Sequence, residues 1–236
     1  MKAVIQAGGK GTRLAPYTLI LPKPMMPVGD QPVIEILIKW LRRNSIEEAC
    51  ITTGHLAHLI KAFCRDGEQW GMKIHYCQEP EPLGTVGSLQ LIKEHLTEPF
   101  LMLNGDLITD LDLMAFKKCH EESGASLSIA TTIKSVNIDL GVLETDNSRV
   151  TAFREKPTLP MEVSMGLYIM NPEILEYIPK GVPFGFDNLM HALLSKDIAV
   201  NTFRHDGRWM DIGRVDDFAK AQDEWTEHHE KPMLGV

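Results

Sequence analysis

Apolar residues in the first half of the chain form short continuous runs that alternate with amphipathic segments. The runs at 2–6 and 100–103 have the length and residue types of buried strands, whereas apolar positions at 33–41 recur at helical spacing. The same patterns predict strands at 49–53 and 72–77 and helices at 55–64, 85–95 and 113–122. Strands that alternate with helices in this order predict a mostly parallel sheet covered on both faces.

The pattern changes after Gly124, where strand-like runs predominate. We expect strands at 127–133, 141–144, 150–153 and 163–170, and helices at 172–177, 187–194 and 215–228. The chain therefore predicts an α/β fold with a β-rich second half. We expect one domain over residues 1–230 and a disordered tail at 231–236.

Composition narrows the class of protein. The 236 residues are 44% hydrophobic and 24% charged, which is ordinary for a globular protein, and the net charge of −8 argues against a nucleic-acid surface. No apolar run has the length of a membrane span, and the first strand follows Met1 with no signal-peptide core. The four cysteines form no Cys-x-x-Cys pair, and the nine histidines show no convincing zinc spacing. We expect a cytoplasmic protein with reduced thiols that binds neither nucleic acid nor membrane.

The candidate chemistry begins at a glycine-rich loop directly after the first strand. Residues 7–13 read Ala-Gly-Gly-Lys-Gly-Thr-Arg, and the small side chains allow backbone N–H groups to approach an anion. Lys10, Arg13 and Lys23 add positive charge, and an arginine can donate two hydrogen bonds to one phosphate. The loop fits neither the dinucleotide fingerprint nor the P-loop spacing. It predicts a polyphosphate site, and a glycine-rich turn with solvated charges is the alternative.

Two carboxylates are candidates for binding a hard cation. Asp106 follows the strand at 100–103 in an Asn-Gly-Asp sequence, at the carboxyl end where parallel sheets bind ligands. Carboxylate oxygens suit Mg²⁺, but the same three residues also suit a tight turn. Asp211 lies in an apolar Trp-Met-Asp-Ile-Gly sequence, where an unpaired charge is unfavourable. Its partner is either a metal ion or an arginine such as Arg208 or Arg214.

Two further loops carry polar groups at predicted strand ends. Gln78 offers the donor and the acceptor that a nucleobase edge requires, and Gly84 permits close approach of a flat group. The alternative is a loop that ends in a helix N-cap at Thr85. Glu155 and Lys156 precede a proline at another strand end, where they also fit an ordinary surface turn.

Taken in order, these motifs resemble the sugar-1-phosphate nucleotidylyltransferase family over nearly the whole chain. The resemblance rests on Ala7 to Arg13, Pro22-Lys23-Pro24, Pro82 to Thr85, Asn104-Gly105-Asp106, Glu155-Lys156-Pro157 and Trp209-x-Asp211-Ile212-Gly213. It implies a Rossmann-like three-layer fold with a mostly parallel central sheet and a sugar-binding second half. It also implies an enzyme that transfers a nucleoside monophosphate from an NTP to a sugar 1-phosphate, with Mg²⁺ as cofactor. A homo-oligomer is compatible with the sequence.

The resemblance assigns a role to each candidate residue. Arg13 and Lys23 would be catalytic and stabilise charge on the α-phosphate and the departing pyrophosphate, while Asp106 and Asp211 would hold Mg²⁺. The nucleotide-binding residues would be Ala7, Gly8, Gly9, Gly11, Thr12, Gln78, Gly84 and Thr85. The sugar phosphate would contact Gly141, Glu155, Lys156 and Ser164. A sugar phosphate is already an anionic nucleophile, so alignment and charge neutralisation suffice without a general base.

The motifs also bear on the substrates. Residues 82–85 are similar to those of mannose-1-phosphate guanylyltransferases, which favours GTP over a UTP- or dTTP-dependent reaction with glucose 1-phosphate. Leu140 and Ser164 stand where the family often has tyrosine and asparagine, which makes the sugar pocket more apolar and predicts an unusual sugar. These departures keep open a non-catalytic regulatory subunit that binds a nucleotide sugar, although the presence of both metal carboxylates favours the enzyme.

Overall fold

The computed structural model describes the backbone of residues 1–229 and the side chains of residues 1–225. Within this range the strands are β1 Ala3–Ala7, β2 Pro27–Val28, β3 Gln31–Pro32, β4 Glu48–Thr53, β5 Lys73–Gln78, β6 Phe100–Asn104, β7 Leu107–Thr109, β8 Leu127–Asn137, β9 Val142–Asp146, β10 Arg149–Arg154, β11 Thr158–Met170, β12 Val200–Arg204 and β13 Trp209–Asp211. The α-helices are α1 Val33–Arg43, α2 Ala57–Cys64, α3 Gly84–Gly87, α4 Leu113–Ser123, α5 Phe186–Leu194 and α6 Val215–His229. The tail expected at 231–236 lies outside the described residues.

Short 3₁₀ helices connect several of these elements. They span Thr12–Leu14, Tyr17–Leu19, Lys23–Met25, Glu68–Trp70, Ser88–His95 and Pro172–Tyr177. In the part of the chain that is described, no helix combines the length and the apolar character needed to cross a bilayer.

Seven strands form the central sheet in the order β12-β8-β11-β6-β1-β4-β5. Only β11 runs antiparallel to its neighbours β6 and β8; the other neighbouring pairs are parallel. The predicted α/β fold with a mostly parallel sheet is therefore confirmed. Because β1 and β6 are parallel neighbours, with Gln6 opposite Asn104, the loops that follow them emerge side by side at one edge of the sheet.

The core has one apolar layer on each face of this sheet. On β1 and β6, Ile5 and Leu103 belong to one layer, and Val4 and Met102 belong to the other. All four side chains are fully buried, which contributes roughly 1.5–3 kcal/mol for each of them. The two layers fix the central strands and so give the loops at their ends a rigid base.

The structure differs from the sequence-based expectation at β12, which was not predicted, at 172–177, which form a 3₁₀ helix, and in two features near the carboxyl ends of the central strands. The helix expected at 85–95 is a single turn, α3, followed by the 3₁₀ helix Ser88–His95, and two glycines in α3 weaken an α-helix at this point. The strands β7 and β13 were not predicted, since each has three residues and shows no periodicity. They pair antiparallel, with Asp211 opposite Leu107, and this pairing brings the predicted site residue Asp211 next to Asp106.

The β-rich second half forms an extension that we call the arm, residues 132–164. β8 and β11 continue past the central sheet as a two-stranded ribbon, and the hairpin of β9 and β10 lies between them in sequence. Most of the arm is exposed to solvent. The register of β8 and β11 shifts between Ser164 and Tyr168, so the arm begins where the regular ladder of the sheet is interrupted.

Candidate active site

A cavity of about 410 Å³ lies at the carboxyl ends of β1 and β6. We call it the nucleotide cavity, because nearly all residues predicted to bind nucleotide line it. These are Ala7, Gly8, Gly9, Gly11, Thr12, Gly84 and Thr85, together with the predicted catalytic residues Arg13 and Lys23 and the predicted metal ligand Asp106. Residues that are far apart in sequence thus meet at the edge of the sheet where the pattern of strands predicted a ligand.

The glycine-rich loop is held in place from behind. Thr18 donates a hydrogen bond from Oγ1 to the Gly11 carbonyl at 2.9 Å, and the His55 backbone N–H donates to the Gly8 carbonyl at 3.2 Å. The His55 ring in turn lies 2.9 Å from the Thr18 carbonyl through Nε2. Within the part of the chain that the structure describes, the N–H groups of residues 9–12 make no hydrogen bond. The loop therefore offers free donors beside the cavity, which suits an anion.

Lys23 joins the two predicted metal carboxylates. Its ammonium is in direct contact with Asp106 Oδ2 and lies 3.8 Å from Asp211 Oδ1. Side-chain exposure is 14% for Lys23, 13% for Asp106 and 46% for Asp211. Burial lowers the pKa of the Lys23 ammonium, an effect that the Asp211 carboxylate opposes and the nearby Arg13 guanidinium reinforces. The three side chains form one compact charged cluster.

The structure gives Asp211 a cationic neighbour that the sequence analysis did not consider. This neighbour is Lys23, whereas Arg208 lies beside Asp110, with Nε 3.8 Å from Oδ2. A buried lysine is a natural counter-ion for carboxylates that would otherwise be unpaired. Asp211 reaches it because the Ile212 N–H donates to the Asp106 carbonyl at 3.0 Å and fixes the end of β13.

The donor set at Asp106 and Asp211 fits a divalent cation. Both carboxylates already face a single positive charge, and carboxylate oxygens are the ligands that Mg²⁺ prefers. Among the described residues, no group of three or more His, Cys, Asp or Glu side chains is arranged to hold a metal ion. A Mg²⁺ site at these residues would have two protein ligands, which is usual for this ion, and water would complete the shell together with oxygens of a bound phosphate.

Two further cavities continue from these carboxylates. The first, of about 150 Å³, is lined by Asp106 and Asp211 together with Ser164, Tyr168 and Trp209. The second, of about 410 Å³, lies beyond Asp211 and is lined by residues 132–135 of β8 and by side chains of α6. The predicted sugar-phosphate residue Ser164 donates from Oγ to the Tyr168 hydroxyl at 3.1 Å. Open space is therefore present on this side of the carboxylate pair as well.

The other three predicted sugar-phosphate residues lie on the arm. Gly141, Glu155 and Lys156 line none of these three cavities. Gly141 and Glu155 are neighbours, since a Cβ added to Gly141 would lie 3.4 Å from Glu155 Oε2. The structure thus brings these two together but leaves them apart from Ser164 and the carboxylates.

The residue predicted to contact the base is also placed differently. Gln78 lies outside the nucleotide cavity, and its Oε1 accepts a hydrogen bond from Lys61 Nζ at 2.9 Å. The next residue, Glu79, lines the cavity and accepts from the Leu83 N–H through Oε2 at 2.9 Å. Burial raises the pKa of the Glu79 carboxyl. Successive residues of an extended chain point in opposite directions, so the sequence alone could not tell which of the pair faces the ligand.

Comparison with known proteins adds to this geometry. A family model described as nucleotidyl transferase matches residues 2–228. UTP–glucose-1-phosphate uridylyltransferase of Synechocystis sp. is 36% identical over 243 residues, which cover 94% of this chain and 62% of that protein. Mannose-1-phosphate guanylyltransferase catalytic subunit beta of Danio rerio is 33% identical over 226 residues, which cover 92% of this chain and 62% of that protein. The chain thus spans 62% of the length of these two curated relatives.

Solved structures resemble the fold over almost its full length. HddC from Yersinia pseudotuberculosis has a TM-score of 0.76 and 25% sequence identity, covering 95% of this chain and 99% of that chain. The same protein complexed with GMP-PN has a TM-score of 0.73 at 25% identity, with the same coverage.

Proposed function

Since this chain belongs to the nucleotidyl transferase family, we propose that it transfers a nucleoside monophosphate from an NTP to a sugar 1-phosphate. The products are an NDP-sugar and pyrophosphate, and residues 1–230 act as one catalytic domain. The observation that carries the proposal is the convergence of Arg13, Lys23, Asp106 and Asp211 where two cavities meet. Cations for phosphates and carboxylates for a metal are the groups that phosphoryl chemistry requires.

The nucleotide cavity receives the NTP. The free N–H groups of residues 9–12 hold the phosphates, and Arg13 can donate two hydrogen bonds to one phosphate. Lys23 neutralises charge that builds up on the α-phosphate and on the departing pyrophosphate. Asp106 and Asp211 hold Mg²⁺, which, when bound, supplies further charge neutralisation at the reacting phosphate. The NTP phosphates then lie beside the neighbouring cavity, where the second substrate binds.

The sugar 1-phosphate binds on one side of the Asp106 and Asp211 carboxylates, and the base of the NTP binds on the opposite side. Ser164 and Tyr168 line the cavity there and offer hydroxyl groups to the sugar. Gly141, Glu155 and Lys156 of the arm complete the sugar site, with the Lys156 ammonium on the phosphate. The attacking phosphate oxygen is negatively charged at neutral pH, so the residues align the two substrates and no side chain removes a proton.

GTP is the proposed nucleotide, and Glu79 is the residue that selects it. A carboxylate accepts two hydrogen bonds, and the guanine edge presents two adjacent donors, whereas uracil and thymine present one donor between two acceptors. The free donors of guanine thus match the acidic group in the cavity. The likeness to a structure complexed with GMP-PN supports this choice. The 36% identity to a uridylyltransferase supports the alternative, UTP with glucose 1-phosphate.

Pyrophosphate release tests the reaction. Purified protein with Mg²⁺ is assayed with GTP, UTP, dTTP, CTP and ATP, each crossed with mannose, glucose and heptose 1-phosphates. We expect one active pair, and we expect Asp106→Asn to lose most turnover while the fold is kept. Asp66 is an exposed carboxylate that lines none of the three cavities, so Asp66→Asn is the matched control and should keep its activity. Near-normal turnover by Asp106→Asn would contradict the proposed metal site.

If no pair of NTP and sugar 1-phosphate releases pyrophosphate, a separate measurement of binding decides what the protein does. If the protein then binds a nucleotide sugar tightly, and Asp106→Ala leaves that binding unchanged, the protein is a regulatory subunit and not an enzyme. For the base, Glu79→Gln should raise the KM for GTP about tenfold relative to that for UTP, which corresponds to about 1.4 kcal/mol. Gln78→Ala is the control beside it in sequence and should leave both KM values unchanged.

A further inference from the structure

Lys23 occupies a position where a second cation is expected to bind. Its ammonium contacts Asp106 and faces Asp211, and these are the two carboxylates that we propose for Mg²⁺. Each carboxylate keeps a second oxygen that can bind a metal ion, but a divalent ion held by this pair would lie close to the Lys23 ammonium, and like charges repel. The position of Lys23 therefore opposes metal binding at these two carboxylates.

The backbone around Lys23 is fixed, so a change at this site must come from the side chain. Lys23 begins a 3₁₀ turn in which the Met25 N–H donates to the Pro22 carbonyl at 2.8 Å and the Met26 N–H donates to the Lys23 carbonyl at 3.1 Å. Pro24, the next residue, is buried. The four-carbon stem of the lysine can rotate from this anchor and carry the ammonium elsewhere.

The nucleotide cavity offers the alternative position. Lys23 and Arg13 both line it, and the positive charge of Arg13 acts unfavourably on Lys23. Phosphate groups between the two cations would remove this repulsion and attract the ammonium. Lys23 would then neutralise the phosphates, and the metal would neutralise the two carboxylates that Lys23 leaves, so that no buried charge stays unpaired.

We propose that Lys23 acts as the resident cation of the Asp106 and Asp211 pair, and that nucleotide phosphates draw it away so that divalent metal and nucleotide bind cooperatively. This inference rests on the proposed function for the identity of the metal ligands. It assigns Lys23 a second role, in which it suppresses metal binding until the nucleotide arrives. By linkage, the metal must raise the affinity for nucleotide by the same factor as the nucleotide raises the affinity for metal.

Metal affinity without nucleotide tests the proposal. Free Mn²⁺ is measured by electron paramagnetic resonance in titrations of the wild type, Lys23→Met and Lys220→Met. Methionine keeps an unbranched stem without the charge, so we expect Lys23→Met to bind Mn²⁺ at least tenfold more tightly than the wild type. Lys220 lines the cavity that includes Asp211 but pairs with Glu224 at 3.6 Å, so Lys220→Met controls for the simple loss of one nearby positive charge. It should change the affinity by less than threefold.

The second measurement tests whether metal and nucleotide bind cooperatively. With a non-hydrolysable GTP analogue present, the wild type should bind Mn²⁺ far more tightly than without it, and this gain should be at least tenfold smaller in Lys23→Met, where only the phosphate oxygens contribute to it. Equal or weaker Mn²⁺ binding by nucleotide-free Lys23→Met would overturn the proposal. A change of the same size in Lys220→Met would also overturn it, because general electrostatics would then explain the effect. Neither reading uses turnover, so failure of the proposed reaction would be seen separately, as absence of pyrophosphate.

A third measurement covers the case in which Lys23→Met does not fold. In wild-type protein with isotope-labelled lysine, the Lys23 side-chain resonance is assigned by its loss in Lys23→Arg. We expect this resonance to shift when Mg²⁺ and the GTP analogue are added together. If it does not move, the ammonium has stayed on the carboxylates and the proposal is wrong.

Discussion

Gly84 lines the nucleotide cavity and packs against the backbone of Phe184, so its replacement by alanine should lower both the free energy of unfolding and the affinity for nucleotide. Gly84 has φ +75°, a conformation that an L-residue with a Cβ resists by about 1–2 kcal/mol. An added Cβ would also lie 2.7 Å from the Phe184 carbonyl oxygen and 2.9 Å from its carbon. These are backbone atoms, so the segment must move, and such overpacking costs about 1–3 kcal/mol. The two effects together predict that Gly84→Ala lowers the free energy of unfolding by about 2–5 kcal/mol.

The same movement should weaken nucleotide binding. The Phe184 carbonyl accepts hydrogen bonds from the Val86 and Gly87 N–H groups at 3.1 Å, and its N–H donates to the Leu83 carbonyl at 2.8 Å. These bonds hold the wall of the nucleotide cavity that Gly84 lines. Displacing Phe184 therefore displaces the wall, and affinity for the nucleotide should fall together with stability.

Gly124→Ala is the matched control for this prediction. Gly124 has φ +64° but has open space around its Cβ position, so alanine there should cost only the conformational penalty of about 1–2 kcal/mol. Urea unfolding gives the two stabilities, and titration with GTP gives the two affinities. Equal losses of stability in the two variants, or unchanged affinity in Gly84→Ala, would refute the argument from the Phe184 contact.

Three further predictions concern the site and the core. Arg13→Lys should lower kcat about 100-fold because a point charge does not replace the two-pronged guanidinium; steady-state kinetics measure this, and a loss below threefold would contradict it. Phe116→Ala should lower the free energy of unfolding by about 3–5 kcal/mol, since Phe116 is fully buried and packs on Phe203 at 5.2 Å between ring centroids; a loss below 1 kcal/mol in urea unfolding would count against this packing. Burial raises the pKa of both Cys50 and Cys64 to about 12, so both thiols are protonated at pH 8. Their labelling by a disulfide reagent, followed by peptide mass spectrometry, should be slow in native protein, faster as pH rises toward 12 and rapid after unfolding. Rapid labelling of either native thiol at pH 8 would contradict the raised pKa.

Local pattern was sufficient for the order of the longer strands β1, β4, β5 and β6 and of the helices α1, α2 and α4 in the first half of the chain. The continuous apolar run at 100–103 predicts a strand buried on both faces, and β6 is buried throughout apart from its last residue, Asn104. Placing Asp106 directly after that strand, and residues 7–13 directly after β1, was enough to expect both at one edge of the sheet. The sequence could do this because parallel strands share one direction, so their carboxyl ends coincide wherever the strands stand in the sheet.

The sequence could not show which side of a strand end faces the cavity, or which distant residues come into contact. Its choice of Gln78 as a residue toward the base stays a prediction, and the structure places Gln78 outside the nucleotide cavity while the next residue, Glu79, lines it. It found Asp211 from its apolar surroundings but not its partner, Lys23, which lies 188 positions earlier and meets it at 3.8 Å. The roles of Gly141, Glu155 and Lys156 stay predictions, since the arm holds them outside the cavities.

By itself the sequence determined the α/β succession, the position of the glycine-rich loop and the residue types on which the proposed phosphate and metal site depends. The tertiary structure decided which of these residues meet, through the pairing of the three-residue strands β7 and β13 and through the hydrogen bonds that the Thr18 hydroxyl and the His55 backbone N–H donate to the glycine-rich loop. The reason is physical: periodicity and turn chemistry act between residues a few positions apart, and they specify elements. Contacts between elements depend on the packing of the whole chain, where a short strand with no periodic pattern is stabilised only by the partner that it finds.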